Sequence, residues 1–142
     1  MRTVPKLILD DVRAIMDAAE QKARDIGVDM AISVTDESGN LLMFHRMDNA
    51  RITSIDVSIN KAFTAAASRR STRVYAEVAK PGGSAFGIHV SNQSRFMIVP
   101  GGLPIFVDKE IVGGIGCSSG TPEQDEIVAQ AGIDKLLAYL TL

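Results

Sequence analysis

The chain has 142 residues, of which 46% are hydrophobic and 23% are charged. This composition is typical of a globular protein, and the length predicts a single domain, residues 1–142, with its own hydrophobic core. The single cysteine excludes an intrachain disulfide, and the net charge of −2 gives no electrostatic reason to expect nucleic acid or an anionic membrane as partner. Because no apolar run is long enough for a signal peptide or a membrane span, we expect a cytoplasmic protein.

Three elements are predicted in the first third of the chain. A helix with apolar residues at three-and-four spacing is capped by Asp10 or Asp11 and stops at Gly27. Residues 30–35 alternate apolar and polar positions, and residues 41–47 form a second predicted strand after a Gly-Asn turn. This pattern predicts a β-hairpin.

Two helices are predicted in the middle of the chain. Residues 51–69 have helical spacing, and the apolar stripe expected to face inward comprises Ile52, Ile55, Ile59, Ala62, Phe63 and Ala66. A shorter helix starts at Ser71 or Thr72 and ends before Lys80. Residues 84–94 have no clear periodicity.

Three short strands and a final helix are predicted in the remainder. The strands are residues 96–99, 103–107 and 110–117. The two-residue connection Asp108-Lys109 predicts a tight hairpin between the last two strands, and the capping box Thr121-Pro122-Glu123-Gln124 starts a helix that runs to about Leu140. The element order therefore predicts an α+β fold with a mainly antiparallel sheet covered by helices in two or three layers.

Two glycine-containing motifs resemble signatures of other protein classes. Gly116-Cys117-Ser118-Ser119-Gly120 matches G-x-S-x-G, but both histidines precede Ser118, which is not the order of an α/β-hydrolase. Gly113-Gly114-Ile115-Gly116 lacks both the full dinucleotide frame and a strand after the helix. Two interpretations stay open: the amides of residues 118–121 bind a carboxylate or phosphate, or the small residues only allow close packing.

The sequence predicts no metal site, because C-x-x-C and H-E-x-x-H motifs are both missing and the two histidines are far apart. His45 lies on a predicted strand. His89 lies in the irregular 84–94 segment, the kind of region in which functional residues concentrate, and is therefore the better candidate.

Lys61 is a candidate for binding an anionic group. On its helix it shares a face with Val57, Thr64 and Ser68, apart from the apolar stripe. The alternatives are a solvated lysine, or a lysine that holds a buried carboxylate such as Asp48 or Asp125.

Further polar and glycine residues suggest a pocket at a sheet edge. Gly101 and Gly102 precede Pro104, a combination typical of an edge strand or bulge. If Arg46 and Asp48 converge with Lys61 at this edge, two cations, one acid and free amides suit an anionic substrate and general acid/base chemistry.

Five segments occur in an order that indicates a known family. They are Arg46-Met47-Asp48, Asn60-Lys61-Ala62-Phe63-Thr64-Ala65-Ala66, Gly101-Gly102-Leu103-Pro104-Ile105, Ile111-Val112-Gly113-Gly114-Ile115-Gly116 and Glu123-Gln124-Asp125-Glu126. Together they resemble the GlcG/HbpS-like family, which includes the C-terminal domain of PduO-type proteins. The similarity extends roughly from Leu7 to Leu137.

The resemblance implies a profilin-like, antiparallel five-stranded sheet flanked by helices, assembled as a homo-oligomer. Some members bind haem and act in haem or redox sensing, and others are associated with small-acid or diol catabolism. Lys61 and Thr64 match the family's Lys-Ala-x-Thr segment, whose Thr is implicated at the haem. Other members supply an axial His near the first helix, but residues 9–27 contain no His, which leaves His45, His89 and Met47 as candidates.

Three functions follow as hypotheses. The first is a protein that binds haem or a small anionic ligand, with the cofactor-binding candidates Thr64, Lys61, His45, His89, Gly101 and Gly102. The second is an enzyme acting on a small carboxylate through Lys61, Asp48 and Arg46. The third is an accessory or scaffolding subunit.

Overall fold

The computed structural model describes residues 1–141, so Leu142, the last residue of the expected domain, lies outside it. Within this range the helices are α1 (Leu9–Asp25), α2 (Ser54–Ser68), α3 (Thr72–Val78), the short α4 (Ser91–Ser94) and α5 (Pro122–Leu140), with a 3-10 turn at Ile88–Val90. The strands are β1 (Ala31–Asp36), β2 (Leu41–Arg46), β3 (Gly102–Val107) and β4 (Glu110–Ser118). No helix of residues 1–141 has the length and apolar character needed to cross a membrane.

The four strands form one antiparallel sheet in the order β2-β1-β4-β3. Helices α1 and α5 pack against each other and cover one face, whereas α2 lies across β4 and β1 on the other face. The predicted α+β class, with an antiparallel sheet flanked by helices, is therefore confirmed.

The prediction of five strands is wrong, because residues 96–99 do not form a strand. The amide of Met97 donates to the side-chain hydroxyl of Thr64 (2.8 Å) instead of to a neighbouring strand. Phe96 is buried edge-on against the ring of Tyr75, with 4.6 Å between the ring centroids. The segment is thus fixed by side chains of the helical layer and adds no strand to the sheet.

The local signals of the two hairpin turns and of the α5 cap are confirmed. β1 pairs with β2, and β3 pairs with β4 across Asp108 and Lys109, whose φ angles of 50° and 68° are those that a two-residue hairpin turn requires. Thr121 caps α5 by accepting from the amide of Gln124 (3.2 Å). The prediction that Asp10 or Asp11 is the N-cap of α1 is wrong: the helix begins at Leu9 after Ile8, and Asp11, inside the first turn, accepts from the amide of Ile8 (2.9 Å).

The apolar core lies between the sheet and the α1/α5 layer. Along β1 and β4 the side chains of Ile32, Val34, Ile115 and Cys117 point into it, and all four are fully buried. The facing helices contribute residues at helical spacing, among them Val12, Ile15, Met16, Val128, Ala129 and Leu136.

The other face of the sheet is packed differently, and the inward stripe predicted for α2 is wrong in part. Ala62, Phe63 and Ala66 are buried as predicted, but Ile52 precedes the helix and is 72% exposed, and the polar residues Ser58 and Lys61, outside the predicted stripe, are buried. A β-carbon on Gly114 or Gly116 would lie within 2.3 Å of backbone atoms of α2. The helix can therefore approach the sheet only because these positions are glycine.

Candidate functional site

Lys61 is buried, with only 1% of its surface exposed. It lies on the small-residue face of α2, and its ammonium donates to Asp125 Oδ2 (2.9 Å) and to the carbonyl oxygen of Cys117 (2.8 Å). The other oxygen of Asp125 accepts from the amide of Gly120 (2.9 Å). Of the alternatives that the sequence left open, the structure contains the buried carboxylate, and the pair joins α2, the end of β4 and the start of α5.

Gly101 and Gly102 shape the space around this ion pair. A β-carbon on Gly101 would lie 2.6 Å from Lys61 Nζ, and one on Gly102 would lie 2.5 Å from the Lys61 carbonyl oxygen. The amide of Gly102 also donates to the hydroxyl of Thr72 (2.9 Å). Because both residues are glycine, the start of β3 can approach α2 closely, and it encloses the Lys61–Asp125 pair.

The electrostatics of this region favour a structural role. Burial raises the pKa of the Asp125 carboxyl, and the adjacent Lys61 ammonium opposes the increase. Burial also raises the pKa of the Cys117 thiol, with the nearby Asp125 carboxylate adding to the effect. A buried thiol of raised pKa is not a nucleophile at neutral pH.

Thr64 fixes the segment that follows α4. Its side chain is fully buried, and its hydroxyl donates to the carbonyl oxygen of Arg95 (3.3 Å) and accepts from the amide of Met97 (2.8 Å). The Arg95 guanidinium lies over the ring of Phe63, 3.8 Å from its centroid. Thr64 can therefore affect a ligand only by positioning residues 95–97.

The two histidines have different surroundings. His45 Nδ1 lies 3.0 Å from a carboxylate oxygen of Glu20, on the edge strand β2. His89 Nδ1 is buried and has no hydrogen-bond partner within residues 1–141. The ring of His89 packs edge-on against Phe86, with 6.1 Å between the ring centroids.

Arg46 and Asp48 line a polar pocket of about 350 Å³ beside β2, at the opposite edge of the sheet from Gly101 and Gly102. Its other lining residues are Glu20 and Arg24 from α1, Asp29 from the α1–β1 loop, and Met47. The Arg24 guanidinium donates to Glu20 (2.8 Å), and Asp29 accepts from both the backbone and the side chain of Asn49.

The G-x-S-x-G segment forms a network of serine hydroxyls. Ser118 donates to Ser54 (3.0 Å), and Ser54 lies 2.6 Å from the hydroxyl of Ser119, whose φ of 103° is unusual for a residue with a side chain. Ser119 also accepts from the amide of Arg51 (3.0 Å). Neither histidine contacts these serines in the part of the chain that is described, so no imidazole is placed to act as their general base, and the segment joins β4 to the start of α2.

The structure does not bring the predicted residues together in one site. Lys61 lies with Gly101 and Gly102 in the interior, and it does not line the pocket that contains Arg46 and Asp48. The Lys61 cluster and the Arg46–Asp48 pocket are each assembled from segments that are distant in sequence. The sequence alone therefore could not show that the two lie apart.

Sequence reasoning missed three residues of the polar pocket: Glu20, Arg24 and Asp29. The i,i+4 spacing of Glu20 and Arg24 predicts an ion pair on a helix. That spacing carries no information about the end of β2, which lies opposite and completes the pocket.

Comparison with known proteins identifies the family. Residues 7–134 match the family model described as haem degrading protein HbpS-like. The chain is 38% identical over 131 residues to an uncharacterised 15.0 kDa protein from the dhaT–dhaS intergenic region of Citrobacter freundii, and the match covers 92% of each chain.

Two crystal structures are closely similar. Protein ORFY of Klebsiella pneumoniae superposes with a TM-score of 0.94 and 36% identity, over 97% of this chain and 95% of that chain. The complex of PduOC with haem has a TM-score of 0.88 and 29% identity, over 92% of this chain and 95% of that chain. The resemblance seen in the sequence is confirmed, and the chain belongs to the HbpS-like family.

Proposed function

We propose that this protein binds haem and that His89 is its axial ligand. Two comparisons support haem as the ligand: the matching family is described as haem degrading, and the similar PduOC structure is a haem complex. The choice of ligand residue rests on the surroundings of the two histidines, since α1 contains no His.

The observation that carries the proposal is the unpaired imidazole of His89. Its Nδ1 is buried without a partner among residues 1–141, and Nε2 is neither buried nor hydrogen-bonded in the same range. A neutral imidazole with an uncommitted nitrogen is a common metal ligand. In His45, by contrast, the Glu20 carboxylate already occupies Nδ1.

The residues beside His89 suit a flat apolar ligand. Phe86 is 62% exposed and Val90 is 67% exposed, although both are apolar. Exposed apolar groups of this kind often mark a ligand-binding surface. When bound, haem supplies a redox-active iron, while the chain supplies an imidazole and an apolar face.

The same geometry predicts that His89 is a weak axial ligand. A histidine that binds metal usually donates its second ring N–H to a carboxylate or a carbonyl oxygen, which orients the ring and increases its basicity. The Nδ1 of His89 has no such acceptor in the described part of the chain. Thr64, which is fully buried, contributes indirectly by holding residues 95–97.

Titration of the purified protein with haemin tests the proposal. The wild type should give a saturable Soret band at one haem per chain, and the band should shift or weaken in His89→Ala. His45→Ala is the matched control, because it removes the other imidazole from a more polar site, and it should retain the wild-type spectrum.

Two results would overturn the proposal. If the wild type gives no saturable Soret band, haem is not its ligand. If His89→Ala retains the wild-type band and affinity, the axial ligand is another residue.

The second candidate function, an acid/base enzyme acting on a small carboxylate, has less support. It needs Lys61 beside Arg46 and Asp48, but the Lys61 ammonium pairs with Asp125 in the interior. A function for Arg46 and Asp48 has to be argued from their own pocket, without Lys61.

A further inference from the structure

The pocket between α1 and the end of β2 has an excess of negative charge. Two arginines, Arg24 and Arg46, face three carboxylates, those of Glu20, Asp29 and Asp48, so one negative charge is in excess. Its volume of about 350 Å³ is within the range of small-molecule sites.

Contacts within the protein occupy some of these groups. Both oxygens of Glu20 are engaged, one by Arg24 (2.8 Å) and the other by His45 (3.0 Å). Both hydrogen bonds to Asp29 fall on its Oδ2, from the amide and the side chain of Asn49. Among residues 1–141 no hydrogen bond falls on the second oxygen of Asp29, so it is available to a ligand.

Arg46 and Asp48 are the uncommitted charges. Within residues 1–141, neither side chain has an ion-pair or hydrogen-bond partner, and both residues are exposed. The neighbouring carboxylates also act on Arg24, whose pKa is raised first by its hydrogen bond to Glu20 and to a smaller extent by Asp29 and Asp48. The free groups in the pocket are thus one guanidinium and two partly or fully free carboxylates.

We propose that this pocket binds a small zwitterion of the amino-acid type, with its carboxylate on Arg46 and its ammonium between Asp29 and Asp48. A guanidinium can hold a carboxylate through two parallel hydrogen bonds, and an ammonium has three donors for carboxylate oxygens. A simple anion would meet the two carboxylates without compensation, and a simple amine would make no favourable contact with Arg46. This site is separate from the proposed haem site, so either proposal can fail without the other.

A matched set of ligands tests the charge requirement. The probes are 4-aminobutyrate, butyrate and butylamine, which share a four-carbon chain, together with 6-aminohexanoate to vary the distance between the charges. By isothermal titration calorimetry, one of the two zwitterions should bind at least about tenfold more tightly than butyrate or butylamine, because only a zwitterion makes both charged contacts.

Charge-removing variants locate the binding. Asp48→Asn and Arg46→Gln should each weaken zwitterion binding by about tenfold, since each removes one charged contact. Asp56→Asn and Arg70→Gln are the matched controls, because these exposed residues do not line the pocket, and they should bind as the wild type does.

Three results would overturn the inference. The first is that neither zwitterion binds at 10 mM. The second is that butyrate or butylamine binds as tightly as the zwitterions. The third is that Asp48→Asn and Arg46→Gln both retain wild-type affinity.

Discussion

The two faces of the sheet are packed by different means. On the α1/α5 face, side chains such as Ile32 and Ile115 fill the space between the layers, and all the members of the apolar core are buried. On the α2 face, Ser33 and Ser58 join strand and helix through a hydrogen bond (2.9 Å), and Gly116 leaves no room for a β-carbon.

This difference in packing determines which substitutions each face of the sheet tolerates. An apolar core tolerates the loss of a methylene at modest cost, because neighbouring side chains relax partly into the space. Where backbone lies against backbone, an added atom has nowhere to go. A buried ion pair on such a face can neither be hydrated nor be rearranged, so the loss of one partner leaves a charge in the interior.

The largest expected effect is on the α2 face, from Lys61→Met. Without Lys61 the Asp125 carboxylate, which is 3% exposed, is left buried beside an apolar side chain. The free energy of unfolding should fall by about 3–5 kcal/mol, the usual cost of breaking a buried pair. Urea denaturation followed by circular dichroism measures it.

The double variant Lys61→Met/Asp125→Leu removes both charges and should recover most of the loss. Lys109→Met, at an exposed hairpin turn, is the control and should change stability little. A Lys61→Met variant as stable as the wild type would show that the ion pair contributes nothing.

Gly116→Ala should lower the free energy of unfolding somewhat less than Lys61→Met does. The new β-carbon would lie 2.1 Å from the carbonyl oxygen of Ser58, so α2 must move away from β4. We expect a loss of about 3 kcal/mol, at the upper end for overpacking. Gly82→Ala is the control: its φ is +82° but nothing lies within 4 Å, so it should cost only about 1 kcal/mol. Equal losses in thermal unfolding would mean that close approach is not the cause.

The penalty of Lys61→Met should depend on pH. Because burial raises the pKa of Asp125, the folded protein retains the proton of this carboxyl at a pH where the unfolded chain has released it. Stability from this group is therefore greatest at low pH and falls as the pH rises from about 4 through the folded-state pKa. Lys61 opposes the raised pKa, so its removal should raise the folded-state pKa of Asp125 further and extend the fall in stability to higher pH.

The expected slope for the variant is at most about 1.4 kcal/mol per pH unit for one group. Urea denaturation of the wild type and of Lys61→Met between pH 4 and pH 7 measures it. The difference in unfolding free energy should grow with pH, and a constant difference would contradict the assignment.

The smallest effect is expected on the α1/α5 face. Ile115→Val removes one methylene beside Gly132 of α5 and should cost about 1 kcal/mol. Thermal unfolding should show a clearly smaller shift than for Gly116→Ala, although the two residues are adjacent in β4. If Ile115→Val lowers the unfolding temperature more than Gly116→Ala does, the proposed difference in packing between the two faces is wrong.

Elements defined by local rules were predictable from the sequence. The two hairpins and the capping box at Thr121 depend on residues only a few positions apart, so the sequence alone determined them. The family was predictable because its five segments retain their order. The irregular setting of His89 was also predictable, but its unpaired nitrogen was not.

Other features were decided only by the tertiary structure. The sequence suggested a fifth strand at residues 96–99, but the hydroxyl of Thr64 takes the amide of Met97. It also suggested an apolar inward face for α2. That prediction failed in part because hydrophobic side chains mark the buried face of a helix only where they are needed to fill the space up to the opposite surface. Here the opposite surface presents small residues, among them Gly114, Gly116 and Ser33, so the small residues and Lys61 of α2 turn inward.

The partners of the charged residues were decided in the same way. Lys61 and Asp125 are 64 positions apart, as are Ser54 and Ser118, and the polar pocket combines α1 with the end of β2. The spacing of charged residues along the sequence does not show which of them will pair, because the packing of the layers determines which groups meet. The sequence determined the elements and the available chemistry, and the close approach of α2 to the glycines of β4 determined where that chemistry lies.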